Sequence, residues 1–227
     1  MREMPYGNHI LDTLPDDVKA TLQPSLHRVF LQRRADAGDG RWGGMLLFPV
    51  DTLVRASVNG SIGGRPVTLL AMGRRSAVGM NRWLGCTPLT DFQVLEAGHA
   101  WLLPLLDLPH RNGALGASLG SWQYRLLMVT AYRLTCQAEH NVDRRLAYAL
   151  LWIADETGRP EIYLTHQALS ELTAMRRPSV SLVLSDLHRR GIIRTVNGSI
   201  AILDRMRLER EACSCYATTR GIMFAAS

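Results

Sequence analysis

Arginine side chains are concentrated in the last quarter of the sequence, and they carry its clearest chemical signal. The group includes Arg176, Arg177, Arg189, Arg190, Arg194, Arg205, Arg207 and Arg210. A guanidinium group donates two parallel hydrogen bonds, a geometry that matches a phosphate or the major-groove edge of guanine. The whole chain has a formal net charge of +6, which favours a polyanionic partner. We therefore expect this region to bind nucleic acid rather than to perform catalysis.

Residues 164–191 supply the elements that would position these arginines. Thr165 is expected to cap a short helix, and Thr173-Ala174-Met175 to form a tight turn after it. A second helix is predicted from near Arg177, with Pro178 in its first turn, where a backbone donor is not needed. Its buried stripe is predicted to consist of Val180, Val183, Leu184 and Leu187. The first turn of the second helix would then face outward.

Residues 192–203 predict a β-hairpin directly after the second helix. Gly191 would end that helix, and Asn197-Gly198 favours a type I′ turn between the two strands. Helix, turn, helix and hairpin in this order predict a winged helix-turn-helix, whose second helix enters the major groove of DNA. The alternative is a helical core followed by a hairpin with no nucleic-acid role. The predicted DNA-contacting residues are Thr165, His166, Gln167, Arg176, Arg177, Pro178, Ser179, Ser181, Arg189 and Asn197.

Residues 115–140 predict one long central helix with two apolar stripes. The first stripe recurs in steps of four and three, which is typical of a coiled-coil seam and predicts a dimer interface. Its residues are Leu115, Leu119, Trp122, Leu126, Val129 and Arg133, with Cys136 next in the series. A second stripe, Leu127, Ala131, Leu134 and Ala138, lies on an adjacent face. One stripe would pack on its own domain and the other on a second copy; an ordinary core helix is the alternative.

Residues 1–110 contain brief apolar runs separated by glycine-rich turns. The runs cover residues 45–49, 53–58, 67–72 and 92–95, after a helical pattern at 11–26. Short strands with such turns predict a small antiparallel roll. The expected class is α+β, with a roll at 1–110, a central dimerisation helix at 111–140, a winged helix-turn-helix at 141–216 and a tail at 217–227.

Residues 164–191, with the hairpin ending Ile200-Ala-Ile-Leu-Asp204, resemble the Crp/Fnr family, the regulators related to the catabolite activator protein. The order of roll, long helix and winged helix extends the resemblance over most of the chain, more weakly before Ala71. The resemblance implies a roll of the cyclic-nucleotide-binding type, a homodimer joined by the central helix, and transcription regulation at palindromic operators together with RNA polymerase.

The family's functional positions can be carried over to matching residues of this chain. Thr165, His166 and Gln167 match the phosphate-contacting helix start, and Arg177 and Ser181 match base- or backbone-contacting positions. Two residues depart from the pattern. Pro178 stands where many relatives have a glutamate that reads cytosine, and Leu182 where many have a second base-reading arginine. The resemblance therefore implies an operator different from the family's best-known one.

The cyclic-nucleotide cassette of the family is not matched. It needs Gly-Glu at the start of a short helix and Arg-Ser or Arg-Thr about ten residues later. Here the positions read Gly79-Met80 and residues 87–92 without an arginine, and Arg74-Arg75-Ser76 comes too early. We therefore predict no response to cyclic AMP and no cofactor, and an unidentified effector stays open.

The cysteines and histidines give no metal motif. The first cysteine is Cys86, so the N-terminal cysteines of iron–sulfur relatives are absent. Haem ligation by Cys86, His99 or His110 has no motif behind it, yet a ligand- or haem-gated regulator of this architecture remains an alternative. Cys213-Ser-Cys215 has no nearby Cys or His pair that would complete a zinc set, so no metal is predicted.

Other classes of protein are not favoured. The four cysteines are too scattered for a disulfide framework, which indicates a reduced, cytoplasmic setting. No segment predicts a membrane span or a signal peptide. The glycine-rich residues 38–44 lack a P-loop lysine, and no catalytic triad or carboxylate pair stands out, so an enzyme is not expected. A protein-interaction module with a vestigial winged helix is the remaining alternative.

Overall fold

The computed structural model describes residues 6–37, 44–59, 66–86, 90–107, 113–196 and 198–224 of the chain. The chain divides into two compact units, one of Met1–Pro66 with Ala71–Tyr124 and one of Val67–Leu70 with Arg125–Ser227. The main boundary thus falls inside the central helix. No helix of the described residues is both long and apolar enough to cross a membrane.

The N-terminal unit is built on six short strands. They are β1 (His27–Leu31), β2 (Met45–Pro49), β3 (Leu53–Asn59), β4 (Pro66–Met72), β5 (Asp91–Glu96) and β6 (Gly98–Pro104). They form two three-stranded sheets with the orders β1-β6-β2 and β4-β3-β5. The predicted runs at 45–49, 53–58, 67–72 and 92–95 are confirmed as β2 to β5, and the predicted antiparallel N-terminal sheet is confirmed. Strands β1 and β6 were not predicted.

Strand β6 is the central strand of the first sheet and contributes buried side chains to the core. It pairs antiparallel with both β1 and β2, so that Leu102 lies between His27 and Leu47. Leu47, Phe48 and Leu102 are buried. The strand begins at a fixed point, because the backbone N–H of His99 donates to the Asp51 carboxylate and the His99 Nδ1 lies 3.2 Å from Asp51 Oδ2.

The helical pattern predicted at 11–26 is two short helices. Helix α1 covers His9–Asp12, with Asn8 accepting hydrogen bonds from the first turn, and α2 covers Asp16–Leu22. Pro15 separates them, because it lacks the backbone donor that a continuous helix would need. A single turn of 3-10 helix, Gln23–Ser25, then leads into β1.

Helices dominate the rest of the chain. A short α3 (Met80–Trp83) lies between β4 and β5, and α4 (Ala114–Glu139) confirms the predicted central helix. The other elements are α5 (Val142–Thr157), β7 (Glu161–Ile162), α6 (His166–Thr173), α7 (Arg177–Arg189), β8 (Ile193–Val196), β9 (Ser199–Ile202), α8 (Arg205–Glu211) and α9 (Ser214–Phe224). Helix α5 is buried over most of its length and forms the core of the C-terminal unit.

Candidate nucleic-acid interface

Helix α6 begins at the predicted capping residue. The Thr165 side chain accepts a hydrogen bond of 3.1 Å from the backbone N–H of Ala168, which satisfies one of the free donors of the first turn. Leu169 and Leu172 are buried, whereas Thr165 and Gln167 are exposed. Both side chains therefore lie exposed at the same helix start, where Gln167 Nε2 donates to Glu171 Oε1 at 3.0 Å.

The turn between α6 and α7 is held by side chains on both sides. Ala174 ends α6 in the left-handed conformation with φ of 50°. Ser170 Oγ donates to the Met175 carbonyl at 2.6 Å, and Arg145 Nη2 donates to the Thr173 carbonyl at 2.6 Å. These bonds fix the direction in which α7 leaves the turn.

Helix α7 presents its first turn to solvent, as the sequence predicts. It begins at Arg177 with Pro178 at the second position, and Arg176, Arg177 and Pro178 are all exposed. The predicted stripe is buried: Val180, Val183, Leu184 and Leu187. Ser179 and Ser181 are half-buried, and Leu182 is 72% exposed.

Two predicted contact residues are also hydrogen-bonded to each other. Ser181 Oγ donates to the Arg177 carbonyl at 3.1 Å, and His166 Nδ1 lies 2.9 Å from Ser181 Oγ. Because the serine has one hydroxyl proton, the histidine Nδ1–H is the donor in this pair. The His166–Ser181 bond therefore fixes the start of α6 against the first turn of α7.

The arginines of this unit fall into two groups. Arg189 pairs with Asp186, and Arg190 pairs with both Asp186 and Glu211. Hydrogen bonds from these two arginines lower the pKa of Asp186. Among the described residues no carboxylate forms an ion pair with Arg176 or Arg177. The positive charge at the leading end of α7 is thus available to an outside partner.

Arg189 is the predicted DNA contact whose position in the structure supports that role least. It lies in the last turn of α7, at the opposite end from Arg177, and its guanidinium already bonds Asp186. Arg205 has a similar internal role, because it donates to Asp155 at 2.7 Å and to the Tyr216 hydroxyl. The sequence shows an arginine cluster but not which members have carboxylate partners in the fold.

The predicted hairpin is confirmed as β8 and β9, paired from Ile193 with Ile202 to Val196 with Ser199. Strand β7 adds a third strand beside β9 that the sequence did not predict. The backbone N–H of Thr195 donates to His188 Nδ1 at 3.2 Å, which connects the hairpin to α7. Gly198 has φ of 81°, as a type I′ turn requires; Asn197 lies outside the described residues.

Helix α4 corrects the predicted dimer interface. Of the predicted seam, five side chains are buried within the single chain: Leu115, Leu119, Trp122, Val129 and Arg133. The reason is visible at Arg133, whose Nη2 donates to the Leu172 carbonyl at 3.0 Å. Only Leu126 is half-exposed. This inner stripe is a core face and is not free to meet a second copy.

The second stripe of α4 is the exposed one. It runs through Tyr124, Leu127, Ala131, Leu134 and Ala138, all exposed, in steps of three and four. Leu127 and Leu134 are each 64% exposed. We call these five residues the outer stripe. Its spacing is that of a coiled-coil seam, and its apolar side chains have no cover in the single chain.

The residues that stand at the position of the family's cyclic-nucleotide cassette have a structural role of their own. Gly79 has φ of 96°, and a Cβ built on it would lie 2.5 Å from the Met45 carbonyl oxygen. The glycine is therefore needed for close packing on β2. The first turn of α3 contains no acidic residue. Of the residues considered for haem, Cys86 is exposed, His99 bonds Asp51, and His110 lies outside the described residues.

The C-terminal unit also brings together four side chains that the sequence analysis left apart. They are Cys136, His140, Cys213 and Cys215. Cys136 and Cys213 lie 77 residues apart in sequence but have their sulfur atoms 3.4 Å apart. The signal available in the sequence was the four-residue spacing of Cys136 and His140, which places both on one face at the end of α4.

Comparison with known proteins matches this site to a family. The model of the Crp-like helix-turn-helix domain matches residues 144–211, which include α6, α7 and the hairpin. The transcriptional regulator LdrP of Thermus thermophilus is 43% identical over 76 residues, which cover 31% of this chain and 39% of LdrP. The chain thus spans about two fifths of the length of this curated relative.

Solved structures extend the likeness to most of the chain. The CRP-family transcriptional regulator TTHB099 of Thermus thermophilus is 25% identical with a TM-score of 0.65, covering 81% of this chain and 96% of that one. FixK2 of Bradyrhizobium japonicum has a TM-score of 0.69 at 16% identity, covering 83% of this chain and 98% of its own, and shows the shared fold.

Proposed function

We propose, from the premise that this chain is a Crp/Fnr-type regulator with a Crp-like helix-turn-helix domain, that it binds specific double-stranded DNA sequences as a homodimer. One observation carries the proposal. Two exposed arginines, Arg176 just before α7 and Arg177 at its first position, have no carboxylate partner among the described residues, while the apolar stripe of the same helix is buried.

The leading end of α7 has the electrostatics of an anion-binding site. Its free backbone N–H groups and the positive end of the helix dipole meet Arg176 and Arg177 at one place. In the major groove, an arginine there reads guanine bidentately, and neighbouring donors bind phosphates. Thr165 and His166 lie at the start of α6, so they are the phosphate-side contacts of the proposal.

The outer stripe of α4 supports the homodimer. Leu127 and Leu134 are too exposed to contribute to the core of one chain, and a second copy with the same seam would cover them. In a two-fold dimer the two α7 helices would enter successive major grooves about 34 Å apart, so the proposal includes a palindromic site. Dimerisation through this stripe replaces the predicted seam through Leu115 and Leu119.

Independence from cyclic AMP is supported by the chemistry of α3. A cyclic-nucleotide site needs an acidic group for the ribose, and Met80 stands at that position with no acidic residue in the first turn. The neighbouring Gly79 is accounted for by its close approach to β2. We therefore propose DNA binding that does not require this nucleotide.

The test is selection of genomic DNA fragments by the purified protein, followed by fluorescence anisotropy on the recovered site. We expect the logarithm of the binding constant to fall linearly with the logarithm of salt concentration, with a slope of about −0.9 per phosphate contact. The double variant R176A/R177A should lose most of the affinity. The double variant R207A/R210A removes the same charge from exposed positions of α8 and should lose much less.

Three outcomes would contradict the proposal. Recovery of no fragment above random DNA by a folded dimer would favour a protein-interaction module. An equal loss in both double variants would mean that only net charge matters. A gain in affinity on addition of cyclic AMP would overturn independence from that nucleotide.

A further inference from the structure

Four potential metal ligands converge in the C-terminal unit, on elements other than α7 and the hairpin. The ligand atoms of Cys136, His140, Cys213 and Cys215 all lie within 4.8 Å of one another. The Cys136 and Cys213 sulfurs are 3.4 Å apart, and the Cys215 sulfur lies 3.7 Å from His140 Nδ1. The three cysteines are buried and the histidine is half-buried.

These distances approach the edges of a tetrahedron around one zinc ion. With Zn–S near 2.3 Å and Zn–N near 2.0 Å, a tetrahedral site has S–S edges of about 3.8 Å and S–N edges of about 3.5 Å. The two measured pairs lie close to these values. The other separations in the group are at most 4.8 Å, about 1 Å longer than these edges. An iron–sulfur cluster spreads its ligands around several metal atoms, so this compact group suits a single ion.

The backbone positions both halves of the group without a metal. Cys136 is in the last turn of α4 and His140 follows one turn later, with its backbone N–H donating to the Cys136 carbonyl at 3.1 Å. Cys213 and Cys215 flank Ser214, the first residue of α9. Tyr216 anchors that helix start, because its hydroxyl donates to Asp155 at 2.8 Å.

The group also has the chemistry of a zinc site. Three cysteine sulfurs and one histidine nitrogen form a ligand set that zinc takes in structural sites. Cysteine binds a metal as the thiolate, so uptake of the ion would release protons from the three thiols.

We propose that Cys136, His140, Cys213 and Cys215 bind one Zn²⁺ ion as a closed, four-ligand structural site. The ion fastens the C-terminal end of α4 to the start of α9. Four protein ligands leave no open position for a substrate, so the role is stability rather than catalysis. The proposal does not depend on DNA binding, because none of the four residues lies on α6, α7 or the hairpin.

A disulfide between Cys136 and Cys213 is the main competing state. It would require the two sulfurs to approach to about 2.05 Å. A disulfide uses two of the four residues and gives no role to Cys215 or His140. The zinc site accounts for all four.

The first experiment measures metal in the full-length protein purified without chelator. We expect about one zinc per chain, since the group offers one tetrahedral set. Replacing zinc by Co²⁺ should give the visible bands of tetrahedral cobalt and a near-ultraviolet thiolate-to-cobalt band. Chelation should lower the melting temperature, and addition of Zn²⁺ should restore it.

Variants separate the site from simple packing. The double variant C213S/C215S should lose the metal, whereas C86S, which changes an exposed cysteine outside the group, should keep it. H140A changes a half-buried residue, so the fold should survive even if the double variant does not fold. H140A should keep the thiolate-to-cobalt band but bind metal at least tenfold more weakly.

The proposal is overturned if fully reduced wild-type protein takes up neither Zn²⁺ nor Co²⁺ under anaerobic conditions. It is also overturned if H140A and C86S bind cobalt with equal affinity and identical spectra. If the purified protein contains a Cys136–Cys213 disulfide and takes up no metal after its reduction, the group is a disulfide site and not a zinc site.

Discussion

Helices α4 and α7 both have an inner face and an outer face, but their sequences reveal those faces to different degrees. In α7 the buried stripe consists of valines and leucines, whereas the exposed first turn carries Arg177 and Pro178, so the contrast in polarity identifies the part that faces outward. In α4 both stripes are apolar, and the sequence identifies the helix without saying which stripe is exposed. Polarity contrast, rather than periodicity alone, is what makes a helix face predictable.

The difference has a physical origin in what each outer face binds. A face that meets nucleic acid must carry charge, and charge is visible in the sequence. A face that meets a second copy of the same helix carries the same apolar residues as a core face. The four predictions that follow test this contrast, in order of decreasing effect.

The largest effect is expected on the outer stripe of α4. The double variant L127D/L134D should weaken dimerisation by on the order of 5 kcal/mol, because four leucines per dimer would no longer be buried. Analytical ultracentrifugation over a range of concentrations measures this change. S121D, which adds a charge to an exposed position of α4 away from the stripe, is the control. If the dimer persists unchanged, the outer stripe is not the interface, and the stripe that contains Leu126 would be the candidate again.

The second-largest effect is expected on the buried stripe of α7. Leu184 is 1% exposed, so L184A should lower the free energy of unfolding by about 2–5 kcal/mol through lost burial and a cavity. L182A changes the same residue type on the outer face and should alter it by no more than about 0.5 kcal/mol. Urea unfolding followed by tryptophan fluorescence compares them. Equal losses in the two variants would contradict the assignment of faces.

Substitution of Arg177, at the exposed start of α7, should affect DNA binding and not stability. R177A should weaken binding to the selected site by about 1–3 kcal/mol and relax specificity at one base pair. R177K keeps the charge but loses the bidentate fork, so it should recover only part of the affinity. Anisotropy titrations with single-base operator variants measure both changes, with R210A as the control. A loss that is the same for every operator would make Arg177 a phosphate contact.

The smallest effect is expected in the turn that directs α7. Ala174 has a positive φ, which costs a residue with a Cβ about 1–2 kcal/mol. A glycine avoids that cost but adds about 0.5–1 kcal/mol of chain entropy, so A174G should raise the free energy of unfolding by about 0.5–1 kcal/mol. A217G, at an exposed position inside α9, should lower it by a similar amount. A fall in stability for A174G would show that its neighbours prefer the alanine methyl.

The parts of the fold with local signals were predictable from the sequence. The cap at Thr165, the proline at the start of α7 and Gly191 after it define the helix-turn-helix within a residue or two. Strands β2 to β5 were recognisable because glycine-rich turns separate them. Strands β1 and β6 were missed because they follow a helical segment and another strand almost directly, without such a turn.

The parts that depend on distant pairs were not predictable. Nothing in the sequence shows that Arg190 bonds Glu211 while Arg176 has no ion pair among the described residues, or that Arg133 bonds the end of α6. The cysteine group is the clearest case, because it joins the end of α4 to the start of α9. Such partners are set by tertiary packing, which a single sequence records only indirectly.

The exposure of Leu182 has a consequence for base selection. This branched apolar side chain is exposed on α7, five residues after Arg177. Along the floor of the major groove, the apolar group that a leucine can meet is the 5-methyl group of thymine. We therefore expect the recognised half-site to favour thymine beside its guanine, and to bind less tightly when synthesised with deoxyuridine in that place.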